Sequence, residues 1–599
     1  MMKASRQPML LGTALMFLAA GTLFGCKDSF LTDAAAAQGV LDQSILANQA
    51  GVEGNLIAAY RALDWTSGGN ISQAAAASDW VWASITSDDA YKGSEPSDFN
   101  ALNDIEMYYW NTGLADGVLN DKWKAIYEGV SRANATLNLM AQVVKDKPTA
   151  ISAADQKGIT GEANFLRAHY MFEAYKIFGN VPYLREADDI RKQAIAKSAV
   201  GDEIVKDLDV AIANLATTPR NGQVGRATQW TAKAYKGKVL MYQKKYPEAK
   251  TVLEDVVKNG PYDLETSFDH VWTGFKAFEN GKETIFAYQA SANDGEPSGN
   301  NANYGERLNF PHSGSPFGCC GFHQPSQNLV NYFRTDVNGL PLALSDSANW
   351  NKSNADLDAA TGATTNLDPR LDWTAGRDGV PFKDWGKHDP TWIRNQANGG
   401  FYSAKKNVHE KASGAQSSVG WVNTQLNSVN IHLLRYADIL LLLAEDYVEL
   451  GTPTLAEPLV NKVRARAMKT AQGPGTGASD IAVPINSTSI TWAKYNIALW
   501  PVATFANQGT ARDAVRAERR LELAMEGQRF YDLRRWGVLK QTIDGYVNGV
   551  GGGAENTRRL YMASAAPIAA KHDNFPIPST QVELSKVDGE ARVPQTAGW

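Results

Sequence analysis

The stretch from Arg512 to Gly537, RDAVRAERRLELAMEGQRFYDLRRWG, limits most sharply what this chain can fold into. At 100° per residue, Ala514, Ala517, Leu521, Ala524 and Met525 share one narrow face. A face made largely of alanine lets a second helix approach closely, so the spacing predicts a packed helix pair with interlocking ridges. Glu518, Glu522 and Glu526 form a stripe on one flank, and Arg512, Arg516 and Arg520 form another. Like charges four residues apart repel by about 0.2–0.5 kcal/mol per pair. Both stripes therefore need partners, and neighbouring helices such as those carrying Arg435 or Arg464 are expected to be clamped by them. Paired carboxylates for acid–base chemistry would share this spacing, but a structural ion-pair network explains it without a substrate.

The same helical period recurs along the chain. It runs from Gly51 to Leu63, from Trp123 to Met140, from Asp202 to Leu215, and from Ile159 to Phe178, where Gly179 is the stop. Residues 228–261 fit a tetratricopeptide-like hairpin, with Gly237, Leu240, Ala249, Leu253 and Pro261 at the repeat's small, apolar and terminating positions. A second pair covers 433–467, where Leu434, Ala437, Leu440, Leu441 and Ala444 predict a helix buried on most sides. One such unit cannot bury its own face, so the pairs on either side of the middle of the chain should stack into one scaffold. That middle, residues 263–430, loses periodicity and is rich in Asn, Gly, Ser and Pro, with Trp272, Tyr304, Phe317, Trp350, Trp373, Trp385, Trp392, Tyr402 and Trp421 scattered among them. A long irregular stretch inside a compact protein is usually functional or irregularly folded. The expected fold is mainly α: a tetratricopeptide-like helix-pair scaffold carrying an irregular, loop-rich lobe.

At 599 residues the chain is long enough for a large core and more than one lobe. A net charge of -5 and the lack of a basic block argue against nucleic acid as a partner. Lys3 and Arg6 precede an apolar run from Met9 to Phe24 that is too short to span a bilayer and reads as an export signal. Leu23-Phe24-Gly25-Cys26 resembles a lipobox, so residues 1–25 are expected to be a lipoprotein signal peptide and Cys26 the acylated residue, carrying chains such as palmitate. Residues 26–49 then read as a tether, 50–262 as an N-terminal helical region, 263–430 as the loop-rich lobe, and 431–599 as a C-terminal region of helix pairs.

Glu518 to Ala524, then Glu526-Gly527, then Tyr531 to Gly537 resemble the C-terminal signature of the SusD/RagB family. Similar pieces recur at Asn164 to Leu184, Glu283 to Phe286, Pro325 to Phe333, Asp368 to Leu371, His432 to Asp438 and Asn574 to Pro578. The resemblance therefore covers nearly all of the mature chain. It implies a SusD-like lipoprotein anchored by lipid in the cell outer membrane, acting as a lid over a SusC-like TonB-dependent transporter. The implied role is capture of a nutrient without covalent chemistry or a cofactor. Aromatic and Asn content tilts the ligand toward an oligosaccharide. A peptide- or other solute-binding member of the family is the alternative, and a lipoprotein hydrolase a more distant one.

A sugar binder wants flat rings beside amides, because a sugar offers C–H groups on its faces and hydroxyls on its edge. Outside the repeats, Trp80, Trp82, Tyr91 and Tyr108 near Asn103, and Tyr304, Phe317 and Trp350 in the middle segment, are the candidates. Core packing is the competing reading for each. Asp88 and Asp89 could form an acid pair or a calcium site, but adjacent residues of an extended chain point apart, and a glycosidase needs facing carboxylates. His312, Cys319, Cys320 and His323 lack the spacing of a usual zinc site. A Cys319–Cys320 disulfide is compatible with export, although alpha carbons about 3.8 Å apart across a trans peptide are closer than most disulfides allow. No nucleophile elbow, zinc-protease motif or phosphate loop stands out, so neither a catalytic nor a metal residue is assigned.

Overall fold

The computed structural model describes residues 47–64, 73–188, 199–342, 352–421, 425–549 and 555–599. Cys26, the lipobox, most of the expected tether and Trp350 lie outside the described residues. The architecture is mainly α, as the helical periodicity predicts. Helix α1 (Gln49–Arg61) is followed by α2 (Gly113–Asp146), α3 (Ala153–Phe178), α4 (Val200–Asn214), α5 (Gln229–Tyr242) and α6 (Tyr246–Asn259), each packed on the next. Side chains of Asn48, Thr112, Ser152 and Thr228 cap α1, α2, α3 and α5, satisfying N–H groups that the first turn leaves unpaired. Helix α2 begins well before Trp123, because the Thr112 cap and Ala115, Val118 and Leu119 on the buried face outweigh the turn-forming Gly113, Asp116, Gly117 and Asn120.

The chain then leaves the stack for the loop-rich segment and returns at α7 (Tyr436–Glu449), which packs directly on α6 and also carries α8 (Glu457–Ala467) and α9 (Gln508–Leu523). Helix pairs from the two halves thus form one body. Every residue of α7 from Tyr436 to Asp446 is buried, so this helix is the hub. Close approach decides the α5–α6 pair: a Cβ on Gly237 would overlap the Leu253 side chain. No helix among the described residues is long and apolar enough to cross a membrane.

The strands are short and paired two by two. Strand β1 (Ala90–Gly93) runs antiparallel to β3 (Phe322–Pro325), with Tyr91 opposite Gln324. Strand β2 (Thr284–Tyr288) runs antiparallel to β4 (Ile431–Arg435), and Thr284 opposite Arg435 fastens the start of the loop-rich segment to the start of α7. One hydrophobic core extends from Val52 to Val593. A satellite cluster of Phe310, Phe317, Phe382, Trp392 and Val408 fills the lobe.

The acidic and basic stripes find their partners with one exception. Glu518 meets Arg370 at 2.7 Å and Arg464 at 3.0 Å, while Glu522 meets Arg435 at 2.6 Å, Arg370 at 3.1 Å and Arg466. Arg512 pairs with Glu449 at 2.7 Å, and Arg520 pairs with Asp89 at 2.8 Å. Arg516 has no such partner among the described residues. One expectation is corrected here: the helical face from Ala514 to Met525, and the acidic stripe from Glu518 to Glu526, do not continue past Leu523. Helix α9 ends at Leu523 and α10 (Arg529–Arg535) starts afresh, with Met525 and Gly527 at φ 64° and 65° in the turn between them. Glu526 therefore reaches Arg435 (2.8 Å) and Lys406 (2.6 Å) from a turn rather than from the helical stripe. The break follows from close contact, since a side chain at Gly527 would overlap the carbonyl oxygen of Ser78.

Candidate functional site

Tyr304 opens a 3₁₀ turn, Tyr304–Glu306, a geometry that brings side chains three apart onto one side and so aligns Arg307 with Tyr304. The Arg307 guanidinium lies 4.4 Å from the Tyr304 ring centre and 4.9 Å from that of Trp421. Trp421 is 54% exposed, alone among the described tryptophans in offering so much of its ring to solvent. Burial lowers the Arg307 pKa from the usual guanidinium range, and Nε and Nη1 find no hydrogen-bond acceptor, so the ring faces hold this cation.

Backbone lacing keeps the platform in place. Asp64, just beyond α1, accepts from the Gly305 N–H at 2.9 Å and the Ala77 N–H at 3.0 Å, which pins the turn to the scaffold. Asn303 and Asn427 exchange hydrogen bonds of 3.0 and 2.9 Å, joining the Tyr304 loop to the loop after Trp421. Asn293 Oδ1 accepts from both the backbone N–H and the hydroxyl of Ser418 at 2.7 Å, just before Trp421. The nearby carboxylates are occupied: Asp294 holds the Asn301 amide at 2.9 Å, and Glu296 holds the Ser298 N–H at 3.1 Å. The arrangement offers the exposed ring of Trp421 beside a fixed cation, with Tyr304 packed behind it, a chemistry of stacking and hydrogen bonding.

Most of the sequence candidates sit elsewhere. Trp80 and Trp82 are wholly buried; their indole N–H groups donate to Gly305 O at 3.3 Å and Ala74 O at 2.7 Å. Tyr91 is buried beneath Arg559 and donates to Glu555 at 3.0 Å, and Tyr108 packs against Trp110 and His572. Phe317 belongs to the aromatic satellite of the lobe. These five are buried packing residues in this structure. Asn103 donates to Pro96 O at 2.7 Å. Of the selected residues that are described, Tyr304 alone joins this platform, and it is 9% exposed. Arg307 was not recognisable as its neighbour, although the three-residue spacing from Tyr304 was the available signal.

Asp88 and Asp89 do not point apart as extended neighbours would. Residues 85–88 form a turn, and both carboxylates converge on Arg520, at 2.9 and 2.8 Å. Burial alone would raise the Asp88 carboxyl, yet Arg520 and Arg529 hold it down to about 2; Asp89, which feels both burial and Asp88, is raised. Cys319 and Cys320 are joined as a disulfide across a cis peptide bond, so neither is a free thiolate ligand. His323 is buried against Trp80, and burial lowers its pKa to about 3.

A helix-pair scaffold that displays loops carrying an aromatic–cationic platform defines a helical-repeat protein of the scaffold-and-loop class. Residues 282–599 match the SusD family, and residues 64–241 match a family described as starch-binding, associating with outer membrane. The chain belongs to the SusD family. A SusD-like protein of Formosa agariphila is 25% identical over 444 residues, which is 72% of this chain and 74% of that relative. A second from the same organism is 23% identical over 508 residues, 82% of each chain. Among solved structures, a laminarin-binding SusD-like protein aligns over 92% of this chain and 100% of its own, with a TM-score of 0.61 and 21% identity. The surface glycan-binding protein A from Bacteroides fluxus aligns over 92% and 99%, with a TM-score of 0.63 and 21% identity. At such identities these structures speak to the fold.

Proposed function

We propose that the chain binds an oligosaccharide on Tyr304, Arg307 and Trp421 and passes it to a TonB-dependent transporter of the outer membrane. The observation that carries this reading is Trp421, a half-exposed indole fixed beside Arg307 on loops laced to a rigid helical frame. Relatives described as laminarin-binding and surface glycan-binding support the ligand class. Residues 50–262 and 431–599 act as the frame, and residues 263–430 as the capturing lobe. Acylation of Cys26 tethers the body to the membrane, and opening and closing over the transporter delivers the ligand without covalent chemistry.

A panel of neutral glycans titrated into the purified chain tests this reading. Binding without product supports it. Released sugar would indicate a hydrolase, and binding confined to peptides would indicate a different nutrient. For the anchor, Cys26→Ser should leave the protein in the soluble fraction; unchanged membrane attachment would contradict acylation at this residue.

A further inference from the structure

We propose that the cleft formed by α9, α10 and α11 (Leu539–Asn548) is a second ligand site, which takes the acid group of an anionic saccharide on Arg516. The cleft holds about 1210 Å³, space for several sugar rings. Four arginines line it, and three are already neutralised. Arg520 pairs with Asp88 at 2.9 Å, Arg529 with Asp88 at 2.8 Å, and Arg558 with Glu555 at 3.1 Å.

Arg516 differs from all three. It makes no hydrogen bond or ion pair among the described residues, and its Nε is buried without an acceptor. Its guanidinium lies 4.7 Å from the Trp536 ring centre, a stack that holds the planar fork in place. Glu445 and Glu449, the acids whose charges act on it, are taken: Glu445 meets Arg535 Nη2 at 2.8 Å, and Glu449 meets Arg512 at 2.7 Å. Burial lowers the Arg516 pKa, a cost that an incoming anion would relieve. A half-buried guanidinium fork without an acid matches a carboxylate or a sulfate ester, both of which accept two parallel N–H bonds. Trp500 and Trp536 add flat walls for sugar rings, and Gln541 and Thr542 add polar groups for hydroxyls. The saccharide part of the assignment rests on the function proposed above; the anion part rests on Arg516.

The test is calorimetric titration of the full chain with three probes of equal length: an oligogalacturonate, a sulfated galacto-oligosaccharide and a neutral galacto-oligosaccharide. At least one acidic probe should bind about tenfold or more tightly than the neutral one, and added salt should weaken it. Which acidic probe responds distinguishes carboxylate from sulfate. Arg516→Gln should lower the acidic affinity about tenfold or more and leave the neutral probe unchanged, and acidic binding should persist in Trp421→Ala. Loss of neutral binding in Trp421→Ala reports on the Tyr304 platform alone, so the two readings fail separately. Acidic probes that bind no tighter than the neutral one, or an acidic preference untouched by Arg516→Gln, would overturn the proposal. Salt titration of the unaltered protein tests it without any variant: acidic binding indifferent to salt overturns it as well.

Discussion

Arg435 Nη1 lies 2.6 Å from Glu522 Oε1, joining the end of β4 to α9 across 87 residues of sequence. Arg466 shares the same carboxylate oxygen, and Arg370, from the loop-rich segment, reaches the other at 3.1 Å. One buried carboxylate thus holds together a strand end, two helices and the lobe. Replacing it takes one carboxylate from each of three buried guanidinium groups, whose remaining partners Glu283, Glu526, Asp368 and Glu518 no longer balance the buried positive charge. Glu522→Ala is expected to cost about 3–5 kcal/mol, read as a lower urea midpoint for unfolding. A loss below about 1 kcal/mol would mean that the network is incidental to the assembly.

Acid should act through the same groups. Burial pushes the Glu522 carboxyl up, but Arg466, Arg435 and Arg370 more than reverse this and hold it well below the usual carboxylate range. Asp88 is held at about 2 in the same way by Arg520 and Arg529. A lowered folded-state pKa means that the unfolded chain binds more protons, so stability is present above the unfolded value of about 4 and is lost as pH falls through the folded one. The urea midpoint should therefore drop steadily between about pH 4 and pH 2. Stability that is flat across that window would contradict the assignment.

Asp446 has the opposite sign. It sits in the buried run of α7 with neither carboxylate oxygen hydrogen-bonded, and burial together with the charge of Glu445 pushes its pKa up to about 8. The folded state then binds the extra proton, so its contribution to stability is lost as pH rises from about 4 through 8. Asp446→Asn should leave stability near that of the unaltered protein at pH 4 and raise it by about 1–3 kcal/mol at pH 8.5. A variant less stable at both pH values would refute this.

The turn between α9 and α10 depends on Gly527. With φ at 65° and the Ser78 carbonyl against its alpha carbon, it leaves no room for a methyl group. Gly527→Ala is expected to cost about 1–3 kcal/mol, seen as a lower melting temperature, because Glu526 must move with the turn. An unchanged melting temperature would show that the turn yields freely.

The helical frame was legible in the sequence because its signals are local. Alanine faces, apolar stripes at helical spacing and small residues such as Gly237 each report on the few residues around them. The strand pairs were not legible: β1 is buried at all four positions, so it lacks the alternation that marks a strand with one wet face. The site was legible only in part. Trp80 and Trp82 stand among polar residues in sequence, yet the fold encloses them, and neighbouring letters do not carry that information. The approach of Arg307 to Trp421 joins two loops far apart in sequence, so no local pattern announces it.

The most direct test of capture on this platform is titration of neutral oligosaccharides into the full chain and into Trp421→Ala. Removing a stacking ring is expected to weaken the bound glycan about tenfold or more while leaving the melting temperature in place. An affinity unchanged by Trp421→Ala, for a glycan that the unaltered chain binds, would contradict the account.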